Sequence, residues 1–213
     1  MRNRPFWQFS LLHLFELTTL SAAVAALAVT CGPGTLMTSA GISLAWLNMR
    51  GAFENVQSGR RQAAILGLAW VTFLVSLALP SITVFGPVLG FSAAWFSIAG
   101  PIESLLRYGQ LPLGVIVYLA IDLANVLMLL LPLLIWWQSR GRGQWHGAML
   151  CIAMVAPWCV AWDVSGTSGL LIGYYIWCVS FGIALVAIRI RRQVLVAMLV
   201  MTIGLAAVVV LGK

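Results

Sequence analysis

The chain has 213 residues, of which 62% are hydrophobic and 8% charged, with a mean hydropathy of +1.02. An ordinary soluble domain is about a quarter charged, so this composition speaks against a water-soluble enzyme and predicts one integral membrane domain over residues 1–213. The net charge of +7 sits in short turns between apolar runs, which points to membrane orientation and anionic lipid headgroups rather than to nucleic acid.

Arg2 and Arg4 precede an apolar stretch with the charged start and small-residue end of a secretory signal. Glu16 interrupts that stretch and a second apolar run follows at once, so residues 11–30 are expected to be an uncleaved first span. Cys31-Gly32-Pro33-Gly34 is a turn, because proline cannot continue a helix and glycine accepts unusual dihedrals. Residues 35–53 make a short second span if Arg50 snorkels to the headgroups. The polar segment 50–62 is a loop, and residues 63–79 form a third span stopped by Pro80.

Residues 81–111 are apolar but broken by glycine and Pro87, which predicts an interfacial or re-entrant connection that does not cross. The run 112–137 would be roughly 38 Å long as a helix, against a hydrocarbon core of about 30 Å, and is the fourth span. The fifth (148–162) contains Pro157, and the sixth (169–188) and seventh (194–211) are separated by Arg189, Arg191 and Arg192. With the N-terminus cytoplasmic, seven spans place every arginine except Arg107 on the inner side. The expected fold is therefore an all-α polytopic transmembrane bundle of about seven spans in the cytoplasmic (inner) membrane, C-terminus outside.

Asp122 stands in the middle of the fourth span, and Tyr118 and Asn125 share its helical face. A charged carboxylate at the centre of a bilayer costs about 2.5 to 3.5 kcal/mol by insertion scales, so such a group is neutral, paired or in contact with water. These three residues are candidates for binding a proton or cation. With no second acid or base at that depth, an interhelical hydrogen bond to Asn125, a serine or a threonine is the favoured role.

Trp158, Trp162 and Asp163, facing Tyr174 and Tyr175 across a short turn, are candidates for an outer aromatic pocket, with the interfacial aromatic belt as the plainer explanation. Gly166-Thr167-Ser168-Gly169 resembles the GxSG of rhomboid-type intramembrane proteases. The topology, however, puts Ser168 at the outer face and His13 and His146 near the inner one, so no serine–histidine dyad is expected. Gly169 and Gly173 read instead as a GxxxG helix-packing pair. His13 and Glu16 make a local pair, and Cys31, Cys151, Cys159 and Cys178 show no metal spacing, so neither a metal nor a cofactor is expected.

Phe9-Ser10-Leu11, followed by Leu14 and Leu17-Thr18-Thr19-Leu20, resembles the start of uncharacterised membrane proteins of planctomycete bacteria. Gly173-Tyr174-Tyr175-Ile176-Trp177, followed by Ser180-Phe181, is similar to a segment of small bacterial multi-pass proteins of unknown function. The resemblance implies a bacterial inner-membrane setting and carries no activity. The functional expectation is a non-enzymatic structural or assembly component that packs with lipid, with other membrane proteins or with copies of itself. The alternatives are a small-solute or proton- or cation-coupled transporter using Asp122 and, third, an enzyme acting on lipid-like substrates.

Overall fold

A computed structural model describes residues 18, 34–83, 86–108, 115–141, 143–164 and 169–211. The expected first span with His13 and Glu16 (residue 18 aside), the turn at 31–33 and the 166–168 part of the GxSG segment lie outside the described residues. What is described is mostly helical.

Helix α1 (Gly34–Met49) stops short of residue 53, because Gly51 takes φ 86°, a left-handed conformation that ends a helix. One 3-10 turn, Glu54–Val56, leads to α2 (Gly59–Ala78), which draws Arg60 and Arg61 into its first turn. Pro80 forces Leu79 into extended backbone (φ −97°, ψ 153°) and so terminates α2.

The connection after α2 is more ordered than the sequence suggests. Strands β1 (Pro80–Thr83) and β2 (Pro87–Leu89) pair antiparallel as a hairpin. Residues 169–171 pair with β1 as well: Thr83 N–H donates to Gly169 O at 3.0 Å and Leu171 N–H to Ser81 O at 2.9 Å. Helix α3 (Gly90–Tyr108) starts where only glycine fits, since a Cβ on Gly90 would lie 2.5 Å from the Ser76 carbonyl oxygen.

From Val115 on, the fourth expected span is two helices, α4 (Val115–Leu129) and α5 (Leu131–Ser139), bent by 54°. Pro132 supplies the cause, because it has no N–H to offer the Met128 carbonyl. In the next segment α6 (Gln144–Ala153) and α7 (Val155–Val164) are separated at Met154, three residues before Pro157. Helices α8 (Ile172–Ala187) and α9 (Arg192–Leu211) complete the described chain.

The junction of α6 and α7 is the centre of the core: every residue from Ala153 to Cys159 is buried. A helix that is apolar all round belongs in such a position. Gly41 of α1 has no side chain, and the Trp158 ring occupies that space. Helices α2 and α8 run antiparallel and meet at Phe73 and Phe181, both fully buried, with ring centroids 6.2 Å apart at 75°.

One end of the bundle gathers the basic loops. Gln62 Nε2 donates to Ala187 O at 2.8 Å and Gln57 Nε2 to Val186 O at 3.2 Å, tying the 50–62 segment to the end of α8. The Arg191 guanidinium donates to Gln144 Oε1 at 2.9 Å, which brings the α5–α6 turn to the same end. There Arg50 and Arg140 lie over the rings of Trp46 and Trp136, at 5.2 Å and 4.0 Å.

Among the described residues, α2 is the helix long and apolar enough to cross a membrane alone, and the bent α4–α5 pair makes a second candidate. Helices α8 and α9 are apolar but shorter by the same measure, and α6–α7 is interrupted. The core is mainly apolar, and apolar side chains also cover the outer faces of several helices. Leu68, Val71 and Val75 of α2, Leu119, Leu123 and Val126 of α4, and Val196, Val200 and Ile203 of α9 face outward. Thr38, Asn48, Ser76, Ser97, Ser180 and His146 are buried.

Candidate functional site

The face Tyr118–Asp122–Asn125 of α4 is turned toward α3 and α8, and it borders a cavity of about 160 Å³. Tyr118 and Asn125 line the cavity directly, together with Ser81 of the hairpin, Ala93, Ala94 and Ser97 of α3, and Tyr174 and Trp177 of α8. Asp122 stands behind this wall. Its Oδ1 is 2.5 Å from the hydroxyl of Ser97, across the α3–α4 interface.

That hydroxyl also contacts the Ala94 carbonyl oxygen, at 2.7 Å. The Ser97 hydroxyl donates toward both oxygens, Asp122 Oδ1 and Ala94 O, so its single proton is shared between two acceptors. The partner of Asp122 is thus a serine on a neighbouring helix, and the contact fastens α3 to α4.

Asn125 is oriented by an indole. Trp177 Nε1–H, which can only donate, meets Asn125 Oδ1 at 3.0 Å and so fixes which end of the amide is oxygen. The indole is held in turn by the rings of Tyr174 and Phe181, at 5.9 and 5.7 Å. The Tyr174 hydroxyl donates to Pro157 O at 2.9 Å, to a residue whose carbonyl lies in the disturbed first turn of α7.

The candidate outer aromatic pocket divides between surroundings. Trp158 is buried and seated on Gly41, Tyr174 is buried against Pro157, and Tyr175 is half-exposed with its ring 5.5 Å from that of Tyr174. The side chains of Trp162 and Asp163 lie outside the described residues. Gly173 has close neighbours where α2 ends and β1 begins: an added Cβ would lie 2.6 Å from Ser81 Oγ and 2.8 Å from both Leu79 O and Pro80 O. Gly169 precedes α8 in the small sheet, with Thr83 Oγ1 at an ordinary 3.7 Å.

Two polar residues without a sequence signal prove central. Asn48 uses its full hydrogen-bonding capacity: Nδ2 donates to Leu185 O (2.5 Å) and Ile188 O (2.9 Å), while Oδ1 accepts from Gln57 Nε2 (2.9 Å) and Ile190 N–H (3.3 Å). It thereby satisfies carbonyls at the end of α8 that have no helical partner. His146 is buried with Nε2 3.3 Å from Leu127 O, near the α4–α5 bend, and packs edge-on against Trp137.

Chemically, the cavity offers mostly apolar walls, aromatic faces, an amide and the hydroxyl-bearing side chains of Ser81, Ser97, Tyr118 and Tyr174. Among the described residues no group of three or more His, Cys, Asp or Glu side chains could hold a metal ion. The three described cysteines, Cys151, Cys159 and Cys178, are buried and unpaired. No family model, no curated protein and no solved structure matches the chain.

Proposed function

We propose that this chain is a multi-pass protein of the cytoplasmic membrane, with about seven spans, the N-terminus inside and the C-terminus outside, acting as a non-enzymatic structural or assembly component. The observation that carries the reading is the apolar outer surface of the bundle: aliphatic side chains face outward on α2, α4 and α9, while the few polar side chains in its mainly apolar interior, Thr38, Asn48, Ser76, Ser180 and His146 among them, are hydrogen-bonded. A soluble monomer rarely exposes contiguous apolar patches beyond a few hundred Å², whereas lipid accepts them. The convergence of Arg50, Arg140 and Arg191 at one end supports an inner face there. Helices too short or too bent to cross alone fit a bundle whose broken segments are covered by neighbours.

The role of Asp122 separates a structural component from a transporter. Its direct bond to Ser97 favours the structural role, and the cavity beside it is what a transport reading would use. Proteoliposomes decide between them: proton, cation and small-solute flux at background for wild type and Asp122→Asn alike agrees with a structural component. Flux in the wild type that is lost in Asp122→Asn would replace it with transport.

A further inference from the structure

We propose that the cavity between α3, α4, α8 and the hairpin binds a small, uncharged, ring-sized molecule bearing one hydrogen-bond acceptor, such as a carbonyl oxygen. The space is kept open by small residues: Ala93, Ala94 and Ser97 fall on one face of α3 and line the cavity where larger side chains would fill it. Its volume of about 160 Å³ is near that of an engineered apolar cavity of about 150 Å³ that takes up benzene. Tyr174 and Trp177 supply aromatic walls.

The acceptor requirement comes from Asn125. Trp177 occupies its oxygen, which leaves the Nδ2 group, and that group has no partner among the described residues. The other polar groups on this mostly apolar wall are hydroxyls, and those of Ser81, Ser97 and Tyr174 already donate to carbonyl oxygens, so the remaining amide N–H selects a ligand that brings an acceptor, because an unmet amide costs free energy there. No charged side chain lines the cavity, and the Asp122 carboxyl is engaged by Ser97, so an ion would find no counter-charge. Asn125 lies roughly 15 Å along α4 from Val115, well below the depth of lipid ester groups if the membrane reading holds, so the occupant is a free molecule rather than a lipid carbonyl.

The test uses the full chain in nanodiscs, or in buffer if it is water-soluble, with two probes read by ¹⁹F NMR: 4-fluoroacetophenone, which has a carbonyl, and 4-fluoroethylbenzene, which lacks one. A protein-bound resonance is expected for both, with the ketone bound about tenfold more tightly, the worth of one hydrogen bond. Asn125→Leu should bring that ratio to about one. Ala94→Phe, or the milder Ala93→Leu should the first fail to fold, should remove both bound signals. Equal ratios in wild type and Asn125→Leu, or only the resonances of empty nanodiscs, would overturn the proposal, the latter meaning that acyl chains fill the space. A chain that stays in buffer contradicts the membrane reading and leaves this binding test intact.

Discussion

Asn48 Nδ2 donates to the Ile188 carbonyl at 2.9 Å, joining the end of α1 to the end of α8 across 140 residues of sequence. The same side chain holds Leu185 O, Gln57 and the Ile190 N–H, so one amide fixes three segments at the arginine-rich end. Removing it strands buried carbonyls and an N–H at once. Asn48→Leu is expected to cost about 2 to 4 kcal/mol, read as a large drop in midpoint in thermal or denaturant unfolding. Gln62→Ala, which loses a single half-buried bond to Ala187 O, should cost about 1 kcal/mol or less.

Asp122 and Ser97 behave as a pair. Asparagine at 122 has the shape of the acid and keeps an oxygen that accepts from the Ser97 hydroxyl, so Asp122→Asn should change stability by no more than about 0.5 kcal/mol. Asp122→Leu leaves Ser97 with one partner and should cost about 1 kcal/mol or more. A double-mutant cycle with Ser97→Ala checks the coupling. Additive losses would mean that the two side chains do not interact.

Gly173 and Gly169 separate a tight contact from a loose one. Gly173→Ala pushes a methyl against the carbonyls of Leu79 and Pro80, which strand pairing holds in place, and should destabilise by about 1 to 3 kcal/mol. Gly169→Ala meets only Thr83 Oγ1 at 3.7 Å and should be nearly silent. Equal effects from the two would restore a shared helix-packing role.

Local periodicity made part of this molecule legible from its residues. The shared face of Tyr118, Asp122 and Asn125 follows from helical spacing, and the structure places Tyr118 and Asn125 on the cavity wall with Asp122 behind it against Ser97. Pro80 marked a real end of a helix, whereas the span expected to run to residue 53 ends at Met49. What escaped depends on distant partners. Ser97 lies 25 residues before Asp122 in a stretch broken by glycine and proline, and nothing local in Asn48 announces bonds 137 to 142 residues away. The hairpin 80–89 was hidden because its prolines suggest a break, whereas Pro80 opens its strand, a position that needs no ladder N–H. The bend at Leu130 is masked by a run that is apolar throughout, although Pro132 is its cause.

The most direct measurement is the sidedness of the two ends of α2. Single cysteines at Ser58, before α2, and at Gly86, in the hairpin turn where an added Cβ meets nothing within 4 Å, are labelled with a membrane-impermeant maleimide in intact and permeabilised cells. The described native cysteines are buried and should stay dark. A membrane-spanning α2 with its arginines inside predicts labelling of Gly86→Cys in intact cells and of Ser58→Cys only after permeabilisation. Labelling of both from the same side, or recovery of the chain in the soluble fraction, would contradict it.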